Sequence, residues 1–507
     1  MAKPELQHIL DQIRLDPAFT RLAGLFSRKQ QQPANVYGLQ DTQKIVLALA
    51  LAQTLGQKPC LLVPDELRAR AVAADLRALL DEPVLVFRPR ELNLTDVEAT
   101  SHEEEQARQA ILGQLHSGDF GALVVPAAAL LQRLQSPDTL KTATIQLAVG
   151  QRYDAKILAQ DLLARGFERM RLIEGPGQFA VRGDILDIGL ASTDDSDAVT
   201  GIRLSFFDDE IDAIKTFDVE SQRSQTMLQQ VAVTPMREIV TTPERHAAIS
   251  QQMADIAAAI YKERIAAGDF RDEAEGYRQL AHRDLDRFQQ RVNFAGLDRW
   301  LPLFTPEQAT ILDHAQAAGC LLILDEPLRW RNRLDAAQAD FDERIRAMLS
   351  KAQVLPLTAE AQLRGADIAR WIDRHGRVIA LANIASSGNG LPGGQSLDIN
   401  GRPADGFRGR EEKLALECAD WTKQGTRTFL FAGSDSRRQR LRDFFREHDL
   451  TPEISDSPLK TGFVWPAAKL AVIGTQDIFG SERQARRRHT NGIKIDLFSD
   501  LVPGEMV

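Results

Sequence analysis

The chain has 507 residues, of which 43% are hydrophobic and 26% charged, a composition typical of a globular protein with several buried cores. This length predicts about three or four domains. The formal net charge of −9 excludes an overall field that would attract DNA or anionic membranes, so any contact with nucleic acid requires a local basic patch.

The cysteines and histidines argue against a metal site. Cys60, Cys320 and Cys418 lie far apart in apolar segments, and the nine scattered histidines include no H-x-x-x-H pair. The longest apolar runs are well short of the roughly 20 residues of a membrane-spanning helix, and the amino terminus lacks the apolar segment of a signal peptide. We therefore expect a cytoplasmic protein without metal or membrane contact.

The first part of the chain predicts a parallel sheet. Between residues 36 and 134, helical patterns alternate with the apolar segments "KPCLLVP", "PVLVFRP" and "ALVVP". Continuous apolar strands between amphipathic helices favour a parallel sheet that is covered on both faces.

The pattern then changes twice. Residues 144–234 have short strands joined by Gly- and Asp-rich turns, which predicts a small α+β insertion whose "ASTDDSDAVTG" is an exposed hairpin tip. Long helices follow, and "AGCLLILDEP" resumes the style of the first part, so we assign 1–143 and 235–375 to one split domain. A Gly/Ser-rich loop introduces a second α/β domain at 376–485, and 486–507 is predicted to be a linker.

The stretch "YGLQDTQKIVLALA" almost matches the phosphate-binding pattern G-x-x-x-x-G-K-[ST]. Gly38 and Lys44 occupy the first and seventh places, but Gln43 and Ile45 replace the second glycine and the hydroxyl residue. A side chain at the glycine position fills the space over which backbone N–H groups turn onto phosphate, and isoleucine offers Mg²⁺ no ligand. Lys44 is otherwise interpreted as a solvated surface lysine.

Asp325 and Glu326, in "CLLILDEP", have the form of a strand that presents Mg²⁺-holding carboxylates. Their alternative interpretation is that the two acids cap the next loop or helix. We predict that Gly38, Lys44, Asp325 and Glu326 form a degenerate, inactive nucleotide site. The order of the two half-motifs indicates a nucleotide-motor architecture retained as a scaffold.

Other charged clusters predict no catalytic chemistry. The acids of "FFDDEID" lie on a hairpin, which by sequence supplies neither a cleft nor a partner base, so we expect neither a metal site nor a hydrolase. The basic run "RRQRLRDFFREHD" predicts a solvated helix face. The run "ERQARRRHT" is interpreted as a charged linker because it lacks the interleaved aromatic residues of a nucleic-acid site, and DNA contact is the open alternative.

Several long strings resemble a known family. "GQFAVRGDILDI", "RLSFFDDEIDAIKTFDVESQRS", "NFAGLDRWLPLF" and the terminal "FGSERQARRRHTNGIKIDLFSDLVPGEMV" are similar to the UvrB-homology region of bacterial transcription-repair coupling factors. The resemblance runs from about residue 36 to 507 and is densest between 166 and 224. UvrB itself shares part of this text, but it has an intact phosphate-binding loop and an aromatic-rich hairpin, whereas this chain has only four tyrosines.

The resemblance implies a degenerate RecA-like, parallel-sheet α/β domain, interrupted by a UvrA-binding insertion and followed by another α/β domain. It carries partner-binding roles over to Arg182, Arg203, Phe207 and Glu210. Guanidinium groups that pair with carboxylates, an aromatic anchor and an acid that fixes register suit a protein interface. The alternative from the residues alone is a hairpin whose acids and arginines satisfy each other.

The resulting hypothesis is a non-enzymatic module that recruits the excision-repair protein UvrA to RNA polymerase stalled at DNA lesions. The polymerase-binding domain and the motor, which uses ATP and Mg²⁺ on double-stranded DNA, would lie beyond "LVPGEMV", so we expect no cofactor on this chain. In the family the distant carboxy-terminal domain masks the docking surface. The alternative is a UvrB-like ATP-dependent helicase subunit with residual nucleotide binding at Lys44, Asp325 and Glu326.

Overall fold

The computed structural model describes residues 3–27, 32–96, 102–191, 199–241, 243–290, 294–386 and 389–480. Residues 192–198 of the hairpin tip predicted at 191–201, the whole basic run "ERQARRRHT" and the predicted linker at 486–507 lie outside these ranges. Within the described ranges, no helix is both long and apolar enough to cross a bilayer.

The first part of the chain alternates helices and short strands. Its helices are α1 (Pro4–Ile13), α2 (Pro17–Ser27), α3 (Asp41–Leu55), α4 (Glu66–Leu79), α5 (Glu103–Ser117), α6 (Ala127–Leu130) and α7 (Pro137–Ala143). Its strands are β1 (Ala34–Tyr37), β2 (Lys58–Val63), β3 (Val84–Val86) and β4 (Ala122–Pro126).

The next part is rich in strands. It contains β5 (Ile145–Ala148), α8 (Ala155–Ala164), β6 (Glu168–Arg169), β7 (Gln178–Arg182), β8 (Ile185–Ala191), β9 (Val199–Phe207), β10 (Glu210–Asp218), β11 (Ser224–Leu228) and β12 (Gln230–Val233).

Long helices and a return to buried strands follow. These elements are α9 (Pro243–Ala266), α10 (Arg271–Gln289), α11 (Leu301–Phe304), α12 (Ile311–Ala317), β13 (Cys320–Asp325), α13 (Pro327–Leu349), α14 (Gly365–His375), β14 (Val378–Leu381) and β15 (Gln395–Asp398). The last part contains β16 (Arg402–Pro403), α15 (Glu411–Lys423), β17 (Arg427–Phe431), α16 (Asp435–Glu447), β18 (Glu453–Ser455), β19 (Phe463–Trp465), β20 (Leu470–Ile473) and α17 (Thr475–Phe479).

A seven-stranded sheet in the order β15-β1-β14-β13-β2-β4-β3 organises the first and third parts. Every pairing in it is parallel, which confirms the predicted parallel sheet. Helix α3 is buried from Thr42 to Ala52 because it lies between this sheet and the helices α1, α2 and α4. A helix that is apolar on every side is stable only in such a position.

The end of this sheet differs from the predicted domain boundary. Residues 378–398, assigned by sequence to the later domain, supply β14 and β15 of the seven-stranded sheet. The strand "VIAL" directly precedes the Gly/Ser-rich segment, and the polar "QSLD" pairs only as an edge strand. By sequence pattern alone, neither segment can be assigned to the seven-stranded sheet rather than to the loop. The predicted domain boundary at 376 therefore lies before the last two strands of this sheet.

The inserted unit is a six-stranded sheet in the order β11-β10-β9-β8-β7-β6. Its strands pair antiparallel, except for the parallel pair β6–β7. One face packs under α8 through a core that includes Leu158, Leu186 and Leu204. Strands β5 and β12 pair antiparallel where the chain enters and leaves the unit.

Buried ion pairs fasten the exit of the insertion to the first domain. Glu238, just after β12, accepts from Arg90 Nε at 2.7 Å and from Arg108 Nε at 2.5 Å. Arg90 also donates to Asp298 at 2.7 Å. Since all four side chains are largely buried, the insertion is held to the first domain at this point.

The last part forms a five-stranded mixed sheet in the order β16-β19-β20-β17-β18. Its aromatic residues Phe429, Phe463 and Trp465 share one hydrophobic core with α1, α2 and α3. Trp465 Nε1 donates to Asp16 Oδ2 at 2.7 Å. The basic helix α16 is solvated as predicted: its face is exposed, and it pairs with surface acids such as Glu411.

A buried histidine pair predicts a pH dependence of stability. His314 is fully buried, its Nε2 contacts the Gln135 carbonyl at 2.9 Å, and its Nδ1 lies 2.9 Å from His116 Nε2. Burial lowers the pKa of His314 to about 4, below its unfolded value of 6.5. Stability is therefore fully present above pH 6.5 and declines as the pH falls toward 4, by roughly 3 kcal/mol in total.

Denaturant unfolding at several pH values checks this expectation. His314→Gln keeps a polar group and removes the titration, so the difference between wild type and variant should shrink as the pH falls from 6.5 to 4. A constant difference across that range would contradict the assignment. The variant comparison is needed because burial raises the pKa of Asp75 to about 6, an effect of opposite sign.

Candidate functional site

The loop that resembles a phosphate-binding loop packs against the segment that follows β15. Gly38 has φ +80°, and a Cβ on it would lie 2.3 Å from the Ile399 carbonyl oxygen. The Gly401 N–H donates to the Gly38 carbonyl at 2.9 Å. Glycine is required at position 38 both for its left-handed conformation and for this close approach.

Gln43 fills the place of the missing glycine. Its side chain is fully buried, and its Oε1 accepts from the Gln40 N–H at 3.1 Å. A Cβ on Gly401 would lie only 1.8 Å from that oxygen. The neighbouring Thr42 hydroxyl donates to the Thr461 carbonyl at 2.8 Å. The start of α3 is therefore occupied by its own glutamine and by backbone from the last part of the chain.

Lys44 lies in an ion-pair cluster rather than at the surface. Its side chain is 2% exposed, and Nζ donates to Asp325 Oδ1 at 2.9 Å and to Glu326 Oε1 at 2.5 Å. Arg68 Nε donates to the other oxygen of Asp325 at 2.7 Å. Burial alone would raise the pKa of Asp325, but the charges of Lys44 and Arg68 outweigh it and hold that pKa below its ordinary value.

The four residues predicted as a degenerate nucleotide site thus have defined positions. Lys44, Asp325 and Glu326 are in direct contact, whereas Gly38 contacts the segment 399–401. A cavity of about 450 Å³ beside the cluster is lined by two acids and two arginines along with neutral residues. Those charged side chains, Asp41, Glu326, Arg68 and Arg329, cancel, so this cavity offers a triphosphate no excess of positive charge.

Restoring the two missing letters of the loop should not create nucleotide binding. In a Gln43→Gly, Ile45→Thr variant, Lys44 would still be paired with two carboxylates, and residues 399–401 would still cover the loop. We expect no saturable binding of a fluorescent ATP analogue in the presence of Mg²⁺. Saturable binding by the folded variant would show that these two residues alone prevent nucleotide binding.

The second candidate site is the face of the six-stranded sheet that points away from α8. Side chains alternate along its strands, so the neighbours of core residues Leu186, Leu204 and Phe206 point to this outer face. Arg182, on β7, and Arg203, on β9, therefore lie there. Part of the face is closed by a small apolar cluster, and the remainder is open.

The two arginines meet at one buried carboxylate. Arg182 Nη2 donates to Asp187 Oδ2 at 2.5 Å, and Arg203 donates to both oxygens of Asp187, at 2.7 and 2.9 Å. Arg203 also donates to the Gln222 carbonyl and lies 4.4 Å above the Phe217 ring. Arg203 is thus mostly committed to internal contacts, whereas the Arg182 side chain is 47% exposed.

Phe207 and Glu210 lie at the open end of the same face. They pair with each other across the β9–β10 hairpin, whose turn residue Asp208 has φ +58°. Phe207 is 80% exposed, so packing in the core does not account for a phenylalanine at this position. The register thus places all four predicted partner-binding residues on one face.

Asp187 is the residue that the sequence analysis missed. It stands in the quoted string "RGDILDI", and strand alternation from Arg182 and Arg203 could have suggested it, since Asp187 is directly opposite Arg203. Its position depends on the pairing of β8 with β9, which no local pattern specifies. No group of three or more acids, histidines or cysteines within the described ranges has the geometry of a metal site.

Comparisons with known proteins give one match to the inserted unit and others that extend over most of the chain. The family model of the UvrB interaction domain matches residues 145–238, the inserted unit and its β5–β12 base. The chain is 25% identical over 496 residues to the transcription-repair-coupling factor of Bacillus subtilis (strain 168), an alignment that covers 93% of this chain and 40% of that protein. The chain is a relative of the transcription-repair-coupling factors.

Other coupling factors have similar sequence identities to this chain. Identity is 26% over 486 residues with the protein of Myxococcus xanthus, covering 87% of this chain and 39% of that protein. It is 28% over 271 residues with that of Haemophilus influenzae, covering 53% and 22%. The chain spans about 40% of the length of the first two relatives and corresponds to the amino-terminal, UvrB-like region of coupling factors.

Proposed function

We propose that this chain is a non-catalytic docking module of a transcription-repair coupling factor, which recruits UvrA through the outer face of its inserted sheet. The observation that carries the proposal is the exposure of Phe207 on the same sheet face as the half-exposed Arg182, in a domain that matches the UvrB interaction domain. Exposed aromatic rings and guanidinium groups on one face are the residue types that dominate the binding energy of protein interfaces.

The proposal includes the absence of ATP hydrolysis and of a nucleotide cofactor on this chain. Its support is the cluster in which Lys44 pairs with Asp325 and Glu326 while Gln43 fills the loop. A phosphate group would have to displace two carboxylates from a buried lysine, which is unfavourable in a low-dielectric site. RNA polymerase, DNA and a masking carboxy-terminal domain would then act through other parts of a full-length coupling factor.

Calorimetric titration of this chain with UvrA tests the first part, with Arg182→Ala as the probe variant. Lys156→Ala, an exposed change on α8 at the opposite side of the unit, is the matched control. We expect wild type and control to bind alike and Arg182→Ala to bind about tenfold more weakly. A folded wild-type chain that does not bind UvrA would refute the proposal.

Titration of the wild-type chain with a fluorescent ATP analogue and Mg²⁺ tests the second part. Saturable binding would instead favour the UvrB-like helicase alternative. Lys44→Ala is a poor control in this measurement, because it leaves buried carboxylates without their cation and is expected to destabilise the domain.

A further inference from the structure

Three exposed apolar side chains lie on the outer face of the inserted sheet. Ile185, Phe207 and Met227 are 37%, 80% and 58% exposed. The register places all three on this face: Ile185 is opposite Ser205, and Met227 is opposite Lys215, whose neighbour Ile214 points into the core. Together with the basic residues between them, these exposed apolar groups form a candidate interaction surface.

Met227 belongs to a row that crosses the sheet at right angles to the strands. Asp187 pairs with Arg203, Arg203 with Lys215, and Lys215 with Met227. Since neighbouring strands lie about 4.8 Å apart, the row spans roughly 14 Å. The row therefore extends the outer face beyond Arg182 and Phe207, as far as the edge strand β11.

The charge of this row is positive. Asp187 offsets only one of the two arginines that it binds. Lys215 forms no ion pair with any residue in the described part of the chain, and it is half-buried beside Met227. A half-buried ammonium without an acid gains from a carboxylate supplied by a partner.

The other end of the outer face is closed. Ile173, Ala180 and Phe217 form a small core there, and a Cβ on Gly189 would lie 2.9 Å from the Ile173 side chain. The open area is therefore bounded by this core, by the β9–β10 turn and by β11. It has a basic centre with apolar side chains around it.

We propose that the UvrA-docking face extends along this row to Lys215 and Met227, where UvrA presents a carboxylate beside an apolar side chain. This inference rests on the proposed function and adds residues to its site. Lys215 pairs with the carboxylate. Met227, which is flexible and polarisable, fills the irregular apolar contact next to it.

Titrations of UvrA with Met227→Ala and Lys215→Ala test the extension. We expect Met227→Ala to weaken binding about tenfold. Lys215→Ala should weaken it about fivefold and make the affinity less sensitive to salt. Matched controls are Leu163→Ala and Lys156→Ala, exposed residues on α8 at the opposite side of the same unit, which should bind as wild type does.

Each outcome has a distinct meaning. If Arg182→Ala weakens binding while Met227→Ala and Lys215→Ala match their controls, the extension is wrong and the proposed function stands. If folded wild type does not bind UvrA, the proposed function falls and the extension with it. A photoreactive side chain at position 227 provides a second readout: it should crosslink to UvrA, and one at position 163 should not.

Discussion

Replacing Lys44 by methionine is expected to lower the free energy of unfolding by about 3 kcal/mol. The substitution keeps the length of the side chain but leaves Asp325 and Glu326 without the cation that lies 2.9 and 2.5 Å from them. Arg68 remains on one oxygen of Asp325, so the site retains part of its compensation. Urea unfolding followed by circular dichroism measures the loss.

Two variants distinguish this cause from a general effect of losing a lysine. Adding Glu326→Gln to Lys44→Met removes one uncompensated charge and should recover part of the lost stability, because the amide oxygen can still accept from the Asn383 N–H. Lys423→Met removes a 76%-exposed lysine that pairs with Asp420, and should change stability by less than about 1 kcal/mol. If Lys44→Met and the wild type have the same urea midpoint of unfolding, the ion-pair cluster does not stabilise the fold.

Phe207→Ala is expected to weaken the proposed binding of UvrA by about 2 kcal/mol, or roughly 30-fold, without changing the stability of the chain. The ring is 80% exposed, so its removal costs the folded protein almost no buried area. In the proposed complex, the substitution would remove a desolvated aromatic contact at the end of the basic face. Calorimetry gives the affinity, and thermal unfolding gives the stability.

The chain offers a closely matched control for this change. Phe270 is 79% exposed at the tip of the α9–α10 hairpin, outside the inserted unit. Phe270→Ala should bind UvrA as the wild type does. Equal affinities of Phe207→Ala and wild type, or an equal loss in both phenylalanine variants, would argue against the outer face as the docking surface.

Much of the fold could be predicted from periodicity. The apolar segments "KPCLLVP" and "CLLILDEP" are buried parallel strands, and the helix that follows Gly38 ends with Gly56 in the left-handed conformation. Such features depend on local patterns, which the printed sequence contains in full. The polar edge strand β15 was not predicted, because its only strand signal is pairing with β1.

The candidate sites were predictable in part. The order of the lysine loop and the acidic strand indicated that Lys44 and Asp325 belong to one site, and both are there. The contact between Gly401 and Gln43 joins residues more than 350 positions apart, and no spacing rule reports it. Asp187 was missed for a similar reason, since its partner Arg203 is specified by strand register.

By itself, the sequence determined the residue types available for chemistry: a loop without its second glycine and hydroxyl, and a hairpin with an aromatic, arginines and acids. Only the tertiary structure decided how these residues are used. It places Lys44 in a buried ion-pair cluster, commits Arg203 to Asp187 and leaves Phe207 exposed. The physical reason is that burial and pairing depend on which distant segments pack together, and these contacts determine whether a charged or aromatic group stabilises the fold or stays available to a partner.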